Sequence, residues 1–172
     1  MKKDGAVKND DATAALPDAK GKRFAIVTAR FYAELADWLE DGAQRGLRAC
    51  GVAEADIDVV AVPGCFEIPL AARRLIVGGE YDGIVALGVV IRGDTPHFDY
   101  VAGECARGIM NVQLTTGVPI GFGILTTENL AQAEERADPE RLDKGHEAAL
   151  AAATVATIEV SAKRDKNRVG FR

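Results

Sequence analysis

Few residues of this chain can move protons or hold charge at a reacting centre. His97 is one of only two histidines and lies in Gly93-Asp94-Thr95-Pro96-His97-Phe98-Asp99. An imidazole titrates near neutral pH and can give or take a proton, although a histidine at a helix start can also be purely structural. Gly93-Asp94-Thr95 ahead of a helix offers backbone N–H groups and a hydroxyl, a cradle suited to an oxyanion or phosphate. A second cluster is Val62-Pro63-Gly64-Cys65-Phe66-Glu67-Ile68-Pro69. There Glu67 either caps a helix or accepts hydrogen bonds from ligand hydroxyls. Cys65 stands near a helix start, which lowers a thiol pKa, but no base is near it in sequence, so a small packing residue is the preferred reading. Phe31 either covers a planar ligand or staples the helix that follows. Arg136 and Lys144 are basic residues in an acidic stretch, and they either make surface ion pairs or hold an anion. His146, beside Lys144 in a polar stretch, reads as a solvated residue.

The elements around these residues alternate. Phe24–Ala29, Ile57–Val62, Gly83–Ile91 and Pro119–Leu125 are short apolar runs rich in β-formers, and each reads as a strand. Gly83–Ile91 is the longest apolar run and reads as a central strand buried on both faces. Helical periodicity follows each strand. Leu35, Leu39, Ala43, Leu47 and Cys50 share one face, Glu67–Val77 forms a second helix, and Phe98, Val101, Cys105, Ile109 and Val112 mark a third. Thr127 is a candidate N-cap for a short helix over Glu128–Arg136, and an Ala-rich helix is expected from about Glu140 to Ser161. Strands alternating with helices predict an α/β fold, a parallel sheet with helices on both faces. Ligands of such sheets bind at the carboxyl ends of the strands, which is where Phe31, Cys65–Glu67, Asp94–His97 and the region after Leu125 fall.

Composition narrows the function classes. The 172 residues are 48% hydrophobic and 27% charged, ordinary for one globular domain. Residues 1–23 carry net charge +2, residues 163–172 carry +4, and the body between them carries −11. An acidic body argues against general binding of nucleic acid or anionic membrane. The three cysteines, Cys50, Cys65 and Cys105, have no disulfide or zinc spacing, so reduced thiols and a cytoplasmic location are expected, with no metal. No stretch resembles a signal peptide or a membrane span. The expected organisation is an N-terminal tail over 1–21, one domain over 22–162 and a basic tail over 163–172, with order starting at Arg23.

Several segments, in their order, resemble the lumazine synthase family of riboflavin biosynthesis. They are Ala29-Arg30-Phe31, Val62–Pro69, Gly88-Val89-Val90-Ile91-Arg92-Gly93-Asp94-Thr95-Pro96-His97-Phe98-Asp99-Tyr100-Val101, Gly121–Asn129 and Glu135-Arg136-Ala137. The resemblance spans roughly residues 22–162. It implies a flavodoxin-like three-layer α/β/α sandwich on a four-stranded, mainly parallel sheet. It implies an enzyme, a transferase that condenses 5-amino-6-(D-ribitylamino)uracil with 3,4-dihydroxy-2-butanone 4-phosphate, releasing phosphate and giving 6,7-dimethyl-8-ribityllumazine without a cofactor.

By the same resemblance His97 is the acid/base residue, and Phe31 stacks on the pyrimidine ring. Cys65, Phe66 and Glu67 bind the ring and ribityl chain. Val89, Val90 and Ile91 give backbone contacts to the heterocycle, and Arg136 binds the phosphate, helped by Asp94 and Thr95. Phe122 and Arg136 are expected from a neighbouring copy of a homopentamer, with a sixty-subunit shell as a larger assembly. Family members commonly read Ala-Gly-Thr-Lys-x-Gly-Asn-Lys-Gly after the arginine. Here the stretch is Ala137-Asp138-Pro139-Glu140-Arg141-Leu142-Asp143-Lys144-Gly145, which keeps the Arg136-to-Lys144 spacing but replaces the glycine turn. A flavin or lumazine carrier on the same scaffold, and a purely structural shell protein, are the competing readings. A carrier has no need of both His97 and Arg136.

Overall fold

The computed structural model describes residues 15–158. The expected basic tail over 163–172 and most of the expected N-terminal tail lie outside them. Among the described residues there are four strands: β1 (Phe24–Ala29), β2 (Ile57–Val62), β3 (Gly83–Ile91) and β4 (Ile120–Thr127). Five α-helices join and follow them: α1 (Ala33–Ala49), α2 (Ile68–Gly78), α3 (His97–Thr116), α4 (Leu130–Ala137) and α5 (Lys144–Ala156). The sheet order is β2-β1-β3-β4, and every pairing is parallel. This is the expected α/β architecture.

Period-two alternation sends strand side chains to opposite faces. Phe24 and Ile26 of β1, with Val85, Leu87 and Val89 of β3, meet Leu35, Leu39, Ala43 and Leu47 of α1 and the alanines of α4 and α5. Ala25, Val27 and Ala29, with Ile84 and Ala86, face Ile68 and Ala72 of α2 and Cys105 and Ile109 of α3. Each fully buried Ile, Leu or Phe in these layers contributes about 2 kcal/mol by removal from water. The central position expected of β3 follows, since its first seven residues are buried.

Three local expectations change. The packed body begins ahead of Arg23: Ala19 is fully buried, and its amide donates to the Cys50 carbonyl at 2.7 Å. This trims the expected tail at its C-terminal end. Thr127 is not the N-cap of α4, because pairing of Ile91 with Thr127 carries β4 two residues past Leu125. Asn129 caps instead, its side chain accepting from the Gln132 amide at 3.0 Å. Finally, α5 starts at Lys144 rather than Glu140, after a turn in which Asp143 takes φ +44° and ψ +52°. Left-handed backbone costs a non-glycine residue about 1–2 kcal/mol, least for Asn and Asp.

Helix α5 rests on α1 almost backbone to backbone. A Cβ at Gly145 would lie 2.1 Å from the Leu39 carbonyl oxygen, and one at Gly42 would lie 2.3 Å from the Asp143 Oδ1. Only glycine permits this approach, and it fixes where the first turn of α5 sits.

Candidate active site

Two concavities lie toward the carboxyl ends of the strands. The first has a volume of about 540 Å³. Its walls are Phe31 and Tyr32 after β1, Gly64–Glu67 after β2, Val89–Ile91 at the end of β3, and Gly93, Thr95, His97, Phe98, Tyr100 and Val101 leading into α3. Phe31 and Phe66 are 75% and 59% exposed, unusual for phenylalanines, and Phe31 meets Tyr32 edge-on at 5.0 Å. Phe31 is therefore no core staple. Its exposed aromatic ring lines the cleft, a surface suited to a flat heterocycle.

Strand register explains why β3 can offer backbone groups there. Pairing of β1 with β3 stops at Thr28 and Leu87, while β4 continues beside β3 to Ile91. Past Leu87 the β1 side of β3 has no strand to bond. Ile84 and Arg92 donate toward β4, so by alternation Val90 bonds β4 while the backbone groups of Val89 and Ile91 face the open side and can meet a ligand in the manner of a missing strand.

Cys65 is buried, with its Sγ 3.8 Å from the Val89 carbonyl oxygen. A Cβ on Gly88 would come within 2.5 Å of that sulfur, so the thiol fills the space glycine leaves. Burial pushes the thiol up to about 12. It is a packing residue lining the cleft, not a nucleophile. Glu67 is exposed, and its Oε2 accepts from the Gly64 amide at 3.0 Å. Capping and cleft-lining thus coincide in one carboxylate.

The Gly93–His97 loop is exposed, and the Thr95 hydroxyl accepts from the His97 amide at 3.4 Å. His97 opens α3 at the rim of the first cleft. Asp94 belongs to the same loop but does not line the cleft. The loop hangs between two fixed points tied by Arg92. Its guanidinium reaches Asp99 at 3.2 Å and Glu128 at 3.0 Å and lies over the Phe98 ring at 4.2 Å.

The second concavity has a volume of about 430 Å³ and is lined by Phe122, Gly123, Ile124, Leu125, Thr126, Arg136, Lys144, Glu147, Ala148 and Ala151. Arg136 is half-buried, and its Nη1 donates to the Gln132 carbonyl at 2.9 Å. The Lys144 ammonium contacts Glu147 at 2.6 Å. The candidate residues therefore fall into two groups. Phe31, Cys65, Phe66, Glu67, Val89, Val90, Ile91, Thr95 and His97 share the first cleft, and Phe122, Arg136 and Lys144 share the second.

Sequence reasoning passed over Tyr32 and Tyr100. Tyr100 stands three residues after His97, one helical turn along the same face, and that spacing is the signal that finds it. Among the described residues no group of three or more His, Cys, Asp or Glu side chains has the arrangement to hold a metal ion.

The profile of the 6,7-dimethyl-8-ribityllumazine synthase family matches residues 21–159. The chain belongs to that family. A 6,7-dimethyl-8-ribityllumazine synthase of Desulfotalea psychrophila is 49% identical over 140 residues, covering 81% of this chain and 90% of that protein. The lumazine synthase of Nitratidesulfovibrio vulgaris strain Miyazaki F is 48% identical over 143 residues, covering 83% and 90%. The lumazine synthase match spans both concavities, so both belong to the shared domain. It ends at residue 159, one residue past the last described residue, Ile158.

Proposed function

We propose that the chain catalyses the lumazine synthase reaction, condensing 5-amino-6-(D-ribitylamino)uracil with 3,4-dihydroxy-2-butanone 4-phosphate. The observation carrying this reading is the first cleft, where an exposed phenylalanine face, unpaired β3 backbone and a histidine converge. The amino group of the pyrimidine adds to the ketone and loses water to form an imine. Phosphate then leaves, and the ribitylamino nitrogen closes the ring with loss of a second water. Each step moves protons, and His97 at the rim is placed to carry them. Phe31 holds the ring, the Val89–Ile91 edge reads its amide groups, and Glu67 accepts from the ribityl hydroxyls. Holding two flexible reactants side by side supplies much of the rate.

Phosphate departure needs positive charge, and among the described residues no lysine or arginine lines the first cleft. Arg136 and Lys144 of the second cleft supply it if a neighbouring copy places that cleft against the first, with Thr95 and Asp94 on the loop between. A neighbouring copy is what the two clefts call for, and the family resemblance makes the assembly a homopentamer with one site per subunit boundary, from which a sixty-subunit shell can also be built. The working domain is the expected 22–162, extended at its start to the buried Ala19. No described helix is long and apolar enough to cross a membrane, and the free thiols of Cys50, Cys65 and Cys105 fit a reducing cytoplasm.

The test mixes both substrates with purified protein and follows lumazine absorbance and phosphate release together. Both signals rise faster than the unaided background if the reading holds. Bound lumazine with no acceleration favours a carrier instead.

A further inference from the structure

Asp143 is the only non-glycine residue with positive φ among those described. It immediately precedes Lys144, which lines the second cleft with Arg136. Its conformation is held from α1. Arg45 Nη1 and Nη2 both donate to Asp143 Oδ2 at 3.0 Å, and Arg45 Nε is engaged by Asp41 at 2.7 Å. The guanidinium is thus oriented by its own helix and grips α5 through a two-pronged contact, a geometry lysine does not offer.

The backbone around Asp143 is pinned as well. Its amide donates to the Asp138 carbonyl at 3.2 Å, its carbonyl accepts from the Glu147 amide at 3.2 Å, and the Leu142 amide donates to the Glu135 carbonyl at 3.3 Å. The carboxylate enters the space left by Gly42, where Oδ1 is buried with no hydrogen-bond partner. A buried oxygen left unpaired and a left-handed non-glycine residue are both unfavourable locally, and such features persist only where the surroundings over-determine them.

We propose that the Arg45–Asp143 clamp is a positioning device for the phosphate-binding cations. It fixes the turn that sets Lys144 in the second cleft opposite Arg136. Arg45 and Asp143 are positioning residues and do not touch substrate. The inference rests on the synthase reading, in which Arg136 and Lys144 take the phosphate. Without the clamp the left-handed residue relaxes, the first turn of α5 frays, and Lys144 moves away from its place. The pyrimidine half of the site lies in the other cleft and is not disturbed.

The test compares steady-state kinetics of Arg45→Met, Asp143→Ala, the double variant and Asp143→Asn, with Arg136→Ala measured alongside. Arg45→Met keeps the packing of the stem and removes the fork. The single variants are expected to raise KM for the butanone phosphate about tenfold, with KM for the pyrimidine within twofold of the parent. The double variant is no worse than Asp143→Ala, because both changes break one contact. Asp143→Asn retains an acceptor and tolerance of left-handed backbone, and its rise is smaller, about two- to threefold. Inorganic phosphate inhibits the clamp variants correspondingly less.

Equal losses for both substrates, or fully additive effects in the double variant, overturn the proposal. So does an unchanged KM for the phosphate substrate. If Arg45→Met does not fold, Arg45→Lys keeps the charge without the fork and is expected to shift the same KM in the same direction; an unchanged value there also overturns it. A parent that turns over and an Arg136→Ala variant that loses phosphate affinity, beside unaffected clamp variants, refutes the clamp alone. A parent without turnover refutes the synthase reading instead.

Discussion

His97 and Arg136 of one chain line different concavities, His97 at the rim between β3 and α3, Arg136 beside β4 and α5. In the proposed reaction His97 moves protons and Arg136 binds phosphate, and on that proposal the two roles are not joined within a single copy.

Replacing Arg136 by Ala is expected to raise KM for the phosphate substrate about 30-fold. That is the range for losing one charge-assisted hydrogen bond worth roughly 2 kcal/mol. KM for the pyrimidine stays within twofold. Initial-rate measurements with each substrate varied in turn check this, and a change confined to the pyrimidine contradicts the assignment.

His97→Ala is expected to lower kcat about tenfold, with both KM values little changed. The drop is modest for an acid/base residue because positioning of the two substrates survives. Single-turnover rates in saturating substrate report it. An unchanged rate removes the proton-transfer role.

Alkaline stability carries a sign set by two thiols. Burial raises Cys65 and Cys105 to about 12, against an ordinary value of 9.0. Between those values the unfolded chain loses protons that the folded chain retains, so stability falls as pH rises above about 9. Urea unfolding at pH 7, 9 and 10 is expected to show this fall, and a Cys65→Ala/Cys105→Ala variant to show a shallower one. Equal slopes contradict the burial argument.

The opposite end of the sheet should affect stability without affecting turnover. Hydrogen bonds from Tyr81 and from Arg23, each 2.7 Å long, hold the Asp58 carboxyl below its usual range. That contribution is present above the ordinary value of 3.8 and is lost as pH falls through the lower folded value. Asp58→Ala is expected to lower the thermal midpoint by a few degrees at neutral pH and to leave kcat/KM unchanged. The converse pattern, normal melting with lost turnover, contradicts a purely structural role.

The sequence made β1, β2 and β3 legible because each is a β-branched run closed by Gly, Pro or a helical period. It was ambiguous where capping types cluster. Thr127 and Asn129 are both good caps, and only pairing with Ile91 decides between them. The start of α5 was hidden because Asp143 reads as an ordinary polar residue, and its left-handed turn depends on Arg45, 98 positions away. The first cleft was readable from the rule that ligands meet strand carboxyl ends. That the unpaired edge of β3 opens into it follows from register, and the placement of Arg136 in a second cleft follows from where β4 sits in the sheet. Neither is visible in a linear pattern.

The central claim is that one site combines the His97 cleft of one copy with the Arg136 cleft of the next. Subunit complementation tests it most directly. A Phe31→Ala/His97→Ala variant and an Arg136→Ala variant are purified, each nearly inactive at low phosphate substrate, then unfolded together and reassembled. Random mixing in a closed ring leaves about a quarter of the boundaries with both halves intact. Activity is therefore expected to return to about a quarter of the parent value. Activity no higher than the mean of the two variants contradicts a shared site.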